Sequence, residues 1–321
     1  MHELHSAKSS SRFWNWKSAF WLELKGMLMI IFNLVIYKQH FMKTFFILTF
    51  CAVLLSCSTK KNDNKEDTNL QPVPFAGASG QFKKLVWSDE FDGQGLPDDS
   101  KWGYEQGYVR NGELQYYAVK RLDNAHVENG NLIITALNDS AMIDGEMRPV
   151  SSASLITQNK GDWKYGRIEV RAKLPYCLGT WPAIWMMPSQ SVYGGWPKSG
   201  EIDIMENVGF DPNKIYFTVH TEAYNTTKNN QRGSSANCAD PSTAFHIYAV
   251  EWFEDHIDWY LDTVKTFTVK NDGTGWQSWP FDQPFYLILN FAFGGAWGGQ
   301  QGVDMKGFPQ QYIIDYVRVF Q

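Results

Sequence analysis

The run Gly200-Glu201-Ile202-Asp203-Ile204-Met205-Glu206-Asn207 interleaves three carboxylates with apolar residues in an order that only a strand can sort. On a helix the acids, at offsets of zero, two and five, would scatter around more than half the cylinder. On a strand Glu201 and Asp203 share one face opposite Ile202 and Ile204, but strict alternation sets Met205 rather than Glu206 beside them. One extra residue, a β-bulge at Met205, returns Glu206 to the acidic face, and bulges recur beside active sites because they re-aim a side chain.

The rest of the chain has the same period. Short alternating or apolar runs at 131–137, 167–174, 215–221, 245–252, 256–261, 285–293 and 312–320 are separated by Gly, Asn, Asp and Pro, and no window sustains a helical period. This predicts an all-β protein, a β-sandwich jelly roll of two packed antiparallel sheets with a concave substrate cleft. With 16% aromatic and 20% charged residues the core is well filled. No internal repeat or appended module interrupts the pattern.

Three carboxylates crowded on one face resist full ionisation together, so their pKa values are driven apart and at least one holds its proton near neutrality. Glycoside hydrolysis with retention needs that split: an ionised nucleophile and a protonated acid about 5–5.5 Å apart across the sugar. The spacing assigns Glu201 as nucleophile, Glu206 as acid/base and Asp203 between them. Two blander readings stay open on spacing alone, a solvated acidic face and a calcium site built from oxygens.

The segment 208–214, centred on Asp211-Pro212-Asn213, reads as a hairpin turn that returns the chain along the acidic strand. Pairing about that centre sets His220 opposite Glu201, with Tyr216, Thr218 and His220 on one face, where His220 could hydrogen-bond a sugar or the nucleophile. Trp181, Trp185, Trp196 and Trp297 flank the motif segments and are candidates to stack on sugar rings, although 14 tryptophans in all mean that many are core. The run Gly294 to Gly299 is a loop beside the cleft and not a phosphate cradle, since no strand-to-helix transition follows.

The acidic run resembles the Glu-x-Asp-x-x-Glu signature of glycoside hydrolase family 16, in its laminarinase-type, bulged branch. Asn111-Gly112-Glu113-Leu114-Gln115-Tyr116-Tyr117, Tyr165-Gly166-Arg167-Ile168-Glu169-Val170-Arg171, Gly179-Thr180-Trp181-Pro182-Ala183-Ile184-Trp185-Met186, Thr218-Val219-His220 and Asp315-Tyr316-Val317-Arg318-Val319 are similar to that family's segments, in its order. The resemblance covers most of residues 80–321. It implies an endo-β-1,3-glucanase acting with retention on laminarin-like or mixed-linkage β-1,3/1,4-glucan, with no cofactor for catalysis. Arg110, Asn111, Glu113 and Asn290 are then further candidates for binding sugar hydroxyls. The resemblance also implies a structural calcium held by Glu90, a backbone carbonyl near Gly130 and Asp315. Cys177 departs from the small residue usual before Gly-Thr-Trp-Pro and leaves the rim of the cleft less defined.

At the other end, Met42-Lys43, an apolar run from Phe45 to Leu55 and Leu54-Leu55-Ser56-Cys57 resemble a bacterial lipoprotein signal ending at an acylated cysteine. The apolar run is too short to span a bilayer. The expected organisation is an upstream extension at 1–41 with Met42 as the true start, a signal at 42–56, lipidated Cys57 and a polar linker to 78, and the catalytic domain at 79–321. Loss of residues 1–56 removes six basic and two acidic residues from 29 and 34, leaving a mature chain near −9. No basic cluster interleaves with aromatics in the folded part, so nucleic acid is excluded as a partner. A monomeric outer-membrane lipoprotein of a Gram-negative bacterium, facing periplasm or cell surface, follows as the expectation. Cys177 and Cys238 then remain, and could form one disulfide if their geometry permits. The rival readings are a galactan hydrolase of the same fold, agarase- or carrageenase-like, and a non-catalytic glucan-binding protein.

Overall fold

The computed structural model describes residues 78–321. The expected leader, Cys57 and most of the linker lie outside the described residues.

Two eight-stranded antiparallel sheets pack face to face. The cleft sheet runs, in spatial order, Arg232–Asn237, Lys214–His220, Glu201–Glu206, Thr180–Pro188, Phe285–Phe293, Ser154–Ile156 and Gly103–Tyr104, with Asp162–Trp163 on the side of Phe285–Phe293. The second runs Val264–Lys270, His256–Leu261, His246–Trp252, Gly166–Lys173, Gln310–Phe320, Asn131–Ala136 and Ala125–Glu128, with Leu85–Asp89 beside Gln310–Phe320. Neighbours in space are often distant in sequence, as expected of a jelly roll. Among the described residues the one helical element is the short 3-10 turn Thr226–Lys228.

Alternation decides what each strand buries. In Thr180–Pro188 and Phe285–Phe293 the core takes Ile184, Met186, Leu287, Leu289 and Phe291, while the opposite face carries Trp185, Ile288 and Asn290. Trp102, Trp252 and Trp259 are almost fully buried between the sheets or at their edges, so much of the tryptophan content is core. Cys177 and Cys238 are both buried free thiols, and no disulfide joins them. The Cys177 Sγ turns to the Asp304 carbonyl, 3.4 Å away, and is buried.

Candidate active site

The acidic strand is paired on both sides, and both ladders slip at the same place. Toward Thr180–Pro188 the register runs Ala183 to Glu206 and Ile184 to Met205, then jumps to Trp185 against Asp203. Toward Lys214–His220 it holds from Glu201 against His220 to Asp203 against Thr218, then resumes at Glu206 against Tyr216. The extra residue sends Ile204 and Met205, neighbours in sequence, both into the core with Ile202. Glu201, Asp203 and Glu206 are left together on the cleft face, with Asp203 in the middle. Gly200, just before the strand, has φ +89°, and a Cβ there would lie 2.9 Å from Pro280, so a side chain is excluded on both counts.

The three acids differ in surroundings. Burial, reinforced by the neighbouring Glu201 carboxylate, pushes Asp203 well above the usual carboxylate range. Burial also raises Glu206 well above its ordinary value, with the charges of Asp203 and Glu201 adding to it while the Trp181 N–H and His220 pull it back. The Trp181 indole donates to Glu206 Oε1 at 3.0 Å, and the Trp196 indole donates to Glu201 Oε2. His220 Nε2 stands 3.4 Å from Asp203 Oδ2, looser than a well-formed hydrogen bond. The partner of His220 is thus Asp203, one side-chain period from the nucleophile position that its register faces. Its ring also leans against Trp196 at 6.0 Å between centroids.

All four predicted tryptophans reach this face. Trp181 meets Trp297 edge-on at 5.6 Å, and Trp297 in turn meets Tyr216 at 4.9 Å. Trp185 lies under the Arg110 guanidinium, 4.8 Å from its ring centroid, and donates to Asn290 Oδ1 at 2.7 Å. Gly298 packs on Trp181, whose Cβ would be 3.0 Å from any added side chain.

The polar candidates divide. Arg110 is held by Glu105, which also accepts from Ser154 at 2.6 Å. Asn290 is committed at both ends, accepting from Trp185 and donating to the Tyr117 hydroxyl at 2.9 Å. Tyr117 continues to Glu113, which also accepts from Gln115 at 2.7 Å and from Asn111 at 3.2 Å. Burial raises the Glu113 carboxyl above its usual value, and these donors and Arg110 oppose the rise. Glu113 and Asn290 therefore brace the floor and do not present free groups to a sugar. Tyr216 reaches this face as alternation requires. Glu105, Gln115 and Tyr117 also belong to this assembly but are not singled out by the sequence, because nothing local to them marks which partner each meets.

Glu90, Gly130 and Asp315 line one pocket away from the acids, together with Asp92 and Asn129. The Glu90 carboxylate is forked by Arg318 at 2.9 and 2.8 Å, and Asp315 pairs with Arg171. The donor set is all oxygen and fits a hard cation. Such an ion would have to draw both carboxylates from their arginines.

Comparison with known proteins gives the same picture. The family described as glycosyl hydrolases family 16 matches residues 112–318. A beta-glucanase of Rhodothermus marinus is 45% identical over 293 residues, covering 88% of this chain and 96% of the relative. The solved laminarinase from Rhodothermus marinus superposes with a TM-score of 0.71 at 50% identity, covering 74% of this chain and 97% of its own. SCLam, a non-specific endo-beta-1,3(4)-glucanase, superposes with a TM-score of 0.72 at 46% identity, covering 78% and 94%.

Proposed function

The chain belongs to glycosyl hydrolase family 16, and from that premise we propose that Glu201, Asp203 and Glu206 form the catalytic set of a retaining endo-β-1,3-glucanase. The enzyme hydrolyses internal β-1,3-glucosidic bonds of laminarin-like or mixed-linkage glucan and needs no cofactor for the chemistry. The observation that carries the assignment of roles is the raised carboxyl of Glu206, which keeps a proton to give, beside a bulge that returns it to the face of Glu201.

In the first step Glu206 protonates the departing glycosidic oxygen while Glu201 attacks the anomeric carbon, giving a glycosyl-enzyme with inverted configuration. In the second, Glu206, now ionised, takes a proton from water, which displaces Glu201 and restores the configuration. Asp203, protonated through burial and its neighbour's charge, can donate to Glu201 and so hold the nucleophile in place. Trp196 donates to the same carboxylate from the rim. Trp181 and Trp297, which are half-buried, offer ring surfaces to the sugar chain; Trp185, buried beneath Arg110, does not and instead positions Asn290.

Beyond the reaction, the reading includes a calcium held by the carboxylates of Glu90 and Asp315 and the Gly130 carbonyl. It also includes anchorage through acylated Cys57, which the Leu54-Leu55-Ser56-Cys57 sequence supports, in a monomer at the outer membrane. The test is product analysis on laminarin, mixed-linkage β-glucan and agarose with the anomeric configuration followed by NMR. Short β-1,3-linked oligomers released first as the β-anomer are expected from laminarin, and none from Glu201→Gln or Glu206→Gln. Activity on agarose alone would overturn the substrate, and full activity of either variant would overturn the roles. Mass analysis of the mature N-terminal peptide decides the acylation of Cys57.

A further inference from the structure

We infer that Cys238, Asp240 and His246 form a second, non-catalytic site for a zinc-like divalent cation, at the crossing from one sheet to the other. Cys238 and Asp240 lie on the connection after the edge strand Arg232–Asn237, and His246 is the first residue of His246–Trp252 in the second sheet. The Cys238 Sγ, an Asp240 carboxylate oxygen and a His246 ring nitrogen all fall within 4.8 Å of one another. Around a tetrahedral zinc with bonds of ~2.0–2.3 Å, ligand atoms stand roughly 3.3–3.8 Å apart, so closure needs only small side-chain movement. One thiolate, one imidazole and one carboxylate is a donor set that suits zinc and that calcium or magnesium would not select.

Independent of that proximity, the imidazole is already oriented from behind. His246 Nδ1 lies 2.8 Å from Asp262 Oδ2, and the other Asp262 oxygen accepts the Ile247 N–H at 2.9 Å. Asp262 sits with φ 52° in the turn between His256–Leu261 and Val264–Lys270, so its position is fixed by the fold. With the Nδ1 proton given to Asp262, Nε2 points its lone pair at the cluster, where it is shielded from solvent and makes no hydrogen bond. It stands 3.2 Å from Asp240 Oδ1. A carboxylate behind a metal-ligating histidine is the usual second layer of such sites. Cys238 is a buried free thiol, and its main-chain N–H is tied to the Asn213 carbonyl at 2.8 Å. Asp240 is exposed, which leaves the fourth position to water. On binding, the Cys238 S–H bond breaks, its proton passes to solvent, and the sulfur lone pair bonds the ion, which ties the link between the sheets to the strand that it enters.

The rival is an imidazolium that bridges Asp240 and Asp262 without any metal. The purified protein is titrated with Zn2+ against a chromophoric chelator, and with Co2+ while the near-ultraviolet thiolate charge-transfer band is followed. One equivalent is expected, with the cobalt band present. Cys238→Ser and His246→Gln should each weaken zinc at least ~100-fold, and Asp262→Asn by about 10–100-fold, with laminarin hydrolysis unchanged. Exposed Asp240→Asn, which leaves the buried groups in place, should weaken it also and covers the case in which a buried variant fails to fold. No uptake, uptake without the cobalt thiolate band, or uptake that survives Cys238→Ser overturns the site, and binding lost in Glu201→Gln instead would assign it to the catalytic acids.

Discussion

Trp259 and Asp203 belong to opposite sheets, yet the Trp259 indole N–H donates to the Asp203 main-chain carbonyl at 2.8 Å. The bond meets the catalytic strand where the bulge interrupts both of its ladders, the place where a buried carbonyl most needs a partner from elsewhere. The core thus holds the active-site backbone from beneath. Trp259→Phe keeps most of the volume but leaves that carbonyl unpaired, at a cost of about 1–3 kcal/mol. The expected outcome is a thermal midpoint lower by several degrees, with kcat reduced about tenfold and KM little changed. A loss of stability with kcat intact would show that the bond serves the core alone.

Asp203 makes the folded chain weaker at neutral pH. Its folded carboxyl lies above the ordinary value because of burial and Glu201, so between about pH 4 and the raised value the folded state keeps a proton that the unfolded state has released. Stability therefore falls as pH rises through that window, at about 1.4 kcal/mol per unit. Asp203→Asn removes the ionisation and should raise the thermal midpoint at pH 7, with the gain shrinking toward zero near pH 4, while activity drops. Melting curves across pH check this, and a gain that is the same at both ends would mean that ionisation is not its source.

Trp181 acts on Glu206 in the other direction. Its N–H favours the ionised carboxylate and so opposes the rise that burial imposes. Trp181→Phe retains a ring for the sugar and removes the donor, so Glu206 should hold its proton to higher pH. The alkaline limb of kcat/KM, set by the general acid, is expected to move up by about one unit. An unmoved limb would separate the indole N–H from the titration of the acid.

Much of this was legible because alternation is a local signal. The strands Asn131–Ala136, His256–Leu261 and Phe285–Phe293 match the sequence expectation to within a residue, and His220 faces Glu201 as turn counting requires. The edge strand Arg232–Asn237 was missed, since Arg-Gly-Ser-Ser-Ala-Asn has no β-branched residue and is a strand only because Lys214–His220 offers it a partner. The bracing role of Asn290 and Glu113 was also hidden. The partners of Asn290, Trp185 and Tyr117, lie 105 and 173 residues away in sequence, and Tyr117 reaches Glu113 from four residues on only because the fold brings Asn290 against it. The cross-sheet bond of Trp259 has no sequence signature at all, because a core tryptophan reads the same whether or not its N–H is aimed at a catalytic strand.

The pocket of Glu90, Gly130 and Asp315 yields a prediction that leaves the chemistry untouched. Arg318 and Arg171 pair with the two carboxylates, so calcium would gain only the difference between its own coordination and those ion pairs. Binding to the folded state alone stabilises by about 2.7 kcal/mol at a hundredfold excess over Kd, a shift of several degrees for a domain of this size. Millimolar Ca2+ is therefore expected to raise the thermal midpoint, chelation to reverse it, and Glu90→Gln to abolish the response, while initial rates on laminarin at 25 °C stay the same in all three. Differential scanning with and without chelator measures it. A midpoint indifferent to Ca2+ would mean that the two arginine pairs are the finished structure of this pocket and that no ion belongs in it.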